Sequence, residues 1–205
     1  MCVEPTIFVV DDDAGVSRAL ASAGALLGHP VRAFASAAEF LAAYDPAAPG
    51  CLVLDIKMPG MTGLELQRKL SDDGVRLPVV MVSGHADVRI AVEAMTLGAL
   101  TLLEKPFRLD ELMAHLRAAL ARDAAARAAA ERQDAAVARL AALTPKEREV
   151  LERIARGATN KDIAAELGLS VRAVEDRRAR LMKKMDARSV ADLVWVISAS
   201  GSPGV

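Results

Sequence analysis

The sequence predicts an α/β domain with a five-stranded, doubly wound parallel sheet, followed by a small all-α domain. Three observations carry this. Short apolar runs alternate with helix-period segments through the first 122 residues. Every delimited run delivers a polar or charged residue at its carboxyl end. From residue 143 onward cap residues and glycines bracket several short helical segments instead.

Taken in order, the run Thr6 to Val10 ends in Asp11-Asp12-Asp13, and Cys51 to Leu54 ends in Asp55. Pro78 to Val82 ends in Ser83, and Leu100 to Leu103 is followed by Glu104, Lys105 and Pro106. Helix-period segments cover about 15–28, 36–44, 63–72, 87–97 and 109–121, with apolar residues recurring at three and four positions. Five strands alternating with five helices imply a parallel sheet with right-handed crossovers. Pro59, Gly60, Gly63 and the Gly74 region punctuate the loops. From Ala121 to Ala142 the chain is mostly Ala, Arg, Asp and Glu without Gly or Pro. That composition favours helix, and Val137 and Leu140 are too few to form a coiled-coil seam. The stretch reads as a solvent-exposed helical linker, with a dimeric stalk as the alternative. The expected domains are 1–122, a linker at 123–142, and 143–205.

In the tail, Thr144-Pro145-Lys146-Glu147 is a capping box with proline at the first helical position, and that helix should stop near Gly157. Thr159 to Asp162 opens a short helix ending at Gly168, Ser170 caps a third running to about Met185, and Ser189 opens a fourth. Two short helices joined by a glycine turn, the second rich in Arg and Lys, form a helix-turn-helix pattern.

Composition narrows the function classes. Hydrophobic residues make up 53% but aromatics only 3%, enough for small cores without a large aromatic pocket. No apolar run approaches the ~20 residues needed to cross a bilayer, so no membrane partner is expected. No signal peptide is visible, and Cys2 and Cys51 do not make a disulfide framework. A cytoplasmic protein is expected. Residues 1–122 carry 11 Lys and Arg against 15 Asp and Glu, whereas residues 139–205 carry 13 against 9. An acidic front half and a basic tail suit different partners.

In an open parallel sheet, ligands bind beyond the carboxyl ends of the strands, where strand order reverses. Two or three carboxylates, a hydroxyl and a lysine should meet there. Clustered carboxylates repel one another unless a cation offsets them, and an oxygen-only, partly hydrated site suits Mg²⁺. One carboxylate can then attack phosphorus to give an aspartyl phosphate, with Ser83 and Lys105 facing the phosphoryl oxygens. Asp13 is better read as the residue that opens the first helix.

These segments resemble a known family. Val-Val-Asp-Asp-Asp at 9–13, Leu-Asp-Ile-Lys-Met-Pro-Gly-Met-Thr-Gly at 54–63, Val-Ser-Gly-His at 82–85 and Glu-Lys-Pro-Phe at 104–107 look like bacterial two-component receivers, whose fold is flavodoxin-like. Leu-Thr-Pro-Lys-Glu-Arg-Glu-Val-Leu at 143–151, with Gly157 and Asn160 to Ala164, resembles the LuxR-type DNA-binding domain. Together they point to the NarL/FixJ subfamily, nearest its FixJ-like branch. The resemblance makes Asp55 the phosphoacceptor. It assigns Mg²⁺ to Asp11, Asp12, Asp55 and the backbone carbonyl of Lys57. Ser83 takes the switch hydroxyl position, Lys105 the phosphoryl contact, and Lys105-Pro106 the bond that is usually cis. Lys57 and His85 stand at the variable positions beside the site. Leu102 occupies a switch position often held by Tyr or Phe, so rotation of a buried aromatic is not available. A shift of the loop around Ser83 and His85 is the substitute, and His85 is read as ordering that loop rather than as a base. His29 and His115 have no metal-ligand spacing and read as surface residues.

For the tail, Lys161, Arg172, Arg178 and Lys184 are expected at the DNA backbone, with Glu175 and Arg178 as base-reading candidates. Asp176 either accepts from a cytosine amino group or, more simply, pairs with Arg180 four residues on. The function implied is a phosphorylation-controlled transcription regulator that is not an enzyme. Its partners would be a sensor histidine kinase, double-stranded DNA and, once phosphorylated, a second copy of itself. The alternative is a phosphorelay receiver whose tail binds protein. A Mg²⁺-dependent phosphatase would want an acid two residues after its nucleophile, where this chain has Lys57.

Overall fold

The computed structural model describes residues 4–84 and 87–200. Cys2, His85 and residues 201–205 lie outside the described residues. The chain divides into two compact units, Met1–Ala126 and Arg127–Val205.

In the first unit, β1 (Thr6–Val10), β2 (Val31–Phe34), β3 (Gly50–Asp55), β4 (Val79–Ser83) and β5 (Thr101–Glu104) alternate with α1 (Ala14–Leu27), α2 (Ala37–Ala43), α3 (Gly63–Asp72), α4 (Val88–Thr96) and the start of α5 (Leu109–Ala141). The strands form one parallel sheet in the order β2-β1-β3-β4-β5. Because side chains alternate along a strand, both faces are apolar. Phe8, Val10, Leu52, Leu54, Val79 and Met81 pack with residues of α2, α3 and α4. Ile7, Val9, Cys51, Val53, Val80 and Val82 pack with Leu20 and Ala23 of α1 and Leu112 and Leu116 of α5. This two-sided burial is why the central strands read as unbroken apolar runs. The edge strand β2 has no such run: Arg32 and Ala33 are exposed, and the Arg32 guanidinium lies 5.5 Å from the centre of the Phe34 ring.

The helix limits follow from caps. Asp13, Ser36, Thr62 and Asp87 each accept a backbone N–H of the first turn of α1 to α4. The expected linker is helical as far as Ala141 but is not wholly solvated. Asp123 is buried and accepts the Gly50 N–H at 2.9 Å. Ala136 and Leu140 are buried in the core of the second unit. Their four-residue spacing puts them on one helix face, a stripe too short to register as amphipathic in so alanine-rich a stretch.

In the second unit, α6 (Pro145–Ala155), α7 (Asn160–Leu167), α8 (Val171–Met185) and α9 (Val190–Ala199) surround Leu151, Ile154, Ile163, Val174, Leu181, Met185 and Leu193. Capping boxes open α6, α7 and α9, and Ser170 caps α8. Gly168 ends α7 at φ 64°, a left-handed geometry that glycine adopts without steric cost and that turns the chain into α8.

Candidate functional site

Strand register brings the polar ends together. Val10 is opposite Leu54, so the next residues, Asp11 and Asp55, sit side by side where the strand order reverses between β1 and β3. Ser83 is opposite Glu104, which places Lys105 one step further out. The Lys105 ammonium lies 2.7 Å from Asp11 Oδ2 and 3.2 Å from Asp55 Oδ2. Its backbone N–H donates to the Ser83 carbonyl at 2.7 Å, and the Lys105–Pro106 bond is cis. Asp11 is held from its other side, where the Asp13 N–H donates to Oδ1 at 2.9 Å.

Asp11, Asp55 and Ser83 are buried, Asp12 is exposed, and Lys105 keeps 20% of its side chain in water. Burial pushes the Asp55 carboxyl up, Lys105 works against that, and Asp11 adds to it. For Lys105, burial favours the neutral form, but hydrogen bonding and attraction to Asp11 and Asp55 outweigh it and raise the ammonium pKa. The lysine thus acts as internal counter-ion to two buried carboxylates.

Carboxylate oxygens of Asp11, Asp12 and Asp55 lie within 4.8 Å of one another. Asp55 Oδ1 is buried without a hydrogen-bond partner, which is costly for a carboxylate oxygen unless a cation or donor meets it. The all-oxygen set and that orphaned atom fit a hard divalent cation. A cleft lined by Asp11, Asp12, Ser17, Arg18, Phe34 and Glu39 opens beside these acids.

Lys57 is exposed two residues after Asp55, and Leu102 is half-buried against the core on the α2–α4 side of the sheet. Gly63 contributes to the site through its missing side chain. A Cβ on Gly63 would lie 2.1 Å from the Asp55 carbonyl oxygen, while the Gly63 N–H donates to the Ile56 carbonyl at 3.0 Å. The absent side chain lets the start of α3 close against the carboxyl end of β3. A glycine following the helix-capping Thr62 is the signal that marks this approach. His29 and His115 are half-buried rather than surface residues.

In the tail, the structure separates the residues expected at DNA. Lys161, Arg172 and Glu175 are exposed. Arg178 is half-buried, and its guanidinium donates to Asn160 Oδ1 at 2.9 Å. Its position near the Val174 side of α8 turns it toward α7. Lys184 is also engaged internally, donating to Glu147 at 2.8 Å and to the Ala142 carbonyl at 3.1 Å. Its partner is a buried acid at the start of α6, while Lys184 itself keeps 37% of its side chain in water. The expected Asp176–Arg180 pair is not among the ion pairs of the described residues.

A parallel sheet with an acidic switch-point site and a separate basic helix-turn-helix unit define a signal-receiving DNA-binding protein. Residues 7–117 match the response regulator receiver domain, and residues 141–197 match the bacterial regulatory proteins of the luxR family. The chain is 42% identical to the transcriptional regulatory protein FixJ of Azorhizobium caulinodans over 95% of its own length and 92% of the relative's. It is 40% identical to the response regulator protein TodT of Pseudomonas putida, over 93% of this chain and 84% of that one. Among solved structures, the response regulator StyR superposes with a TM-score of 0.88 at 39% identity, covering 96% of this chain and 99% of that one. This chain therefore belongs to the two-component response regulators that carry a LuxR-type domain, on their FixJ-like branch. None of its described helices is long and apolar enough to cross a membrane.

Proposed function

We propose that this protein is a cytoplasmic transcription regulator in which phosphorylation of Asp55 controls promoter binding by the basic tail. The observation that carries the proposal is the Asp11–Asp55–Lys105 cluster at the switch point of the sheet, on a chain that also holds a helix-turn-helix unit.

The phosphoryl donor is a histidine of a sensor kinase. An Asp55 carboxylate oxygen attacks phosphorus, an O–P bond forms, and the N–P bond to the donor histidine breaks with its electron pair leaving on the imidazole nitrogen. Asp11, Asp12, Asp55 and the Lys57 carbonyl would hold Mg²⁺, which when bound shields the acceptor from the negative phosphoryl group. Lys105 exchanges its contact with the Asp55 carboxylate for one with a phosphoryl oxygen, and Ser83 offers its hydroxyl to another. Because Lys105 is joined through its backbone to Ser83, that exchange draws on β4 and β5 together. With Leu102 in place of an aromatic, the response is a shift of the segment after Ser83 that favours a dimer. Two tails on adjacent half-sites then gain avidity from their linkage. Hydrolysis of the acyl phosphate is slow and ends the signal, so the role is regulatory rather than enzymatic.

The test is binding of purified full-length protein to genomic fragments, with and without a small-molecule phosphodonor and Mg²⁺, repeated for Asp55→Ala. Salt-sensitive binding that strengthens only when Asp55 is intact is expected. Binding indifferent to phosphodonor would overturn the switch, and no binding in either state would overturn the DNA-binding assignment.

A further inference from the structure

We infer that Asp176 is a base-reading residue of α8, and that it selects a cytosine amino group in the major groove. The inference rests on the DNA-binding role proposed above. At 3.6 residues per turn, the buried residues Val174, Leu181 and Met185 define the inward side of α8. The stripe directly opposite carries Arg172, Asp176, Ala179 and Lys183, all exposed. Glu175 and Arg180 stand on its two shoulders, also exposed.

An acid in the middle of a cationic stripe needs a reason. On the bare helix an ion pair with Arg172 or Arg180, each four residues away, would supply one. Asp176 makes no ion pair and no side-chain hydrogen bond among the described residues. It caps nothing either, since Ser170 caps α8 and Asp176 lies in the second turn. The carboxylate therefore stands clear of the protein on the outermost line of the helix, in the amino-terminal half from which helix-turn-helix proteins contact base edges.

The chemistry of that position is selective. An ionised carboxylate only accepts hydrogen bonds. Guanine presents two acceptors to the major groove and thymine an acceptor and a methyl group, so both are refused. Adenine offers its amino group beside the N7 acceptor, which repels the second carboxylate oxygen. Cytosine offers its amino group with no acceptor next to it, and is the base accepted. Its guanine partner presents O6 and N7, the edge that a guanidinium matches, and Arg172 lies one helical turn before Asp176. Ala179, one turn beyond, leaves room for close approach, while Arg180 and Lys183 are the cations left for phosphates at the far end. Asp176 thus lowers affinity for DNA in general while confining binding to sites with a C·G pair beneath it.

The experiment selects binding sites from random-sequence duplexes with phosphodonor-treated full-length protein, for wild type, Asp176→Asn and Glu131→Gln. The wild type is expected to recover sites with a fixed C·G pair in each half-site. Replacing that pair by T·A should weaken wild-type binding by about tenfold. Asp176→Asn, which both donates and accepts, should lose that discrimination at the one position and bind unrelated duplex at least as well as wild type. Glu131→Gln, an exposed acid of α5 outside the helix-turn-helix, should keep the preference. An Asp176→Asn protein that recovers the wild-type site with its discrimination intact overturns the inference and leaves the DNA-binding role standing. A wild type that binds no duplex in a salt-dependent way overturns both.

Discussion

Glu147 is expected to be the electrostatic anchor of the DNA-binding unit, and Glu147→Gln tests this. Its Oε2 accepts from the Thr144 N–H at 2.8 Å, the Thr144 hydroxyl at 2.9 Å and the Lys184 ammonium at 2.8 Å. These bonds tie the first turn of α6 to the last turn of α8. The Lys184 hydrogen bond is the largest cause holding the Glu147 carboxyl down, with the Thr144 N–H next, and its pKa falls from 4.5 to about 2. At 1.36 kcal/mol per unit, that fall is worth at most about 3 kcal/mol. Glu147 keeps only 5% of its side chain in water but Lys184 keeps 37%, so screening reduces the expected loss to about 1–2 kcal/mol. The folded pKa lies below the unfolded one, so the stabilisation is complete above about pH 4.5 and is lost as pH falls toward 2. The assay is urea unfolding of the full-length chain followed by fluorescence of Trp195, the only tryptophan and hence a reporter of the second unit. Glu147→Gln should lower the midpoint at pH 7, and by pH 4 the gap to wild type should narrow by about 0.5–1 kcal/mol. Equal midpoints at pH 7, or a gap that does not narrow, would refute the anchor.

Three further outcomes are expected. Asp12→Asn should weaken Mg²⁺ binding by at least tenfold in calorimetric titration, and the wild-type receiver should gain about 2.7 kcal/mol of stability at a Mg²⁺ concentration of 100 times Kd. Gly63→Ala, which drives a methyl into the Asp55 carbonyl, should destabilise the receiver by about 1–3 kcal/mol in thermal unfolding and slow phosphorylation of Asp55 by acetyl phosphate. Cys51, whose thiol is pushed up to about 12 chiefly by burial, should resist iodoacetamide at pH 8 in a Cys2→Ser background and react only when the chain is unfolded by denaturant.

The alternation of apolar runs and helix-period segments determined the architecture of the first unit, because strands covered on both faces must be apolar throughout. The same runs located Asp11, Asp55, Ser83 and Lys105, since each residue follows directly from a strand end. Caps and glycines set the helices of the tail, because their conformational demands are local. The sequence alone does not delimit β2, whose edge position permits Arg32 and so leaves no continuous apolar signal. Only the tertiary structure decided which charges are spoken for. Lys184 and Arg178 look like any other cations of a basic helix, but Glu147 and Asn160, 37 and 18 residues away, engage them. Asp176 looks like half of an i,i+4 pair, yet it stands unpaired among the described residues. Local sequence determines backbone conformation and strand ends, whereas the partner of a long charged side chain is set by whichever distant element packs within its reach.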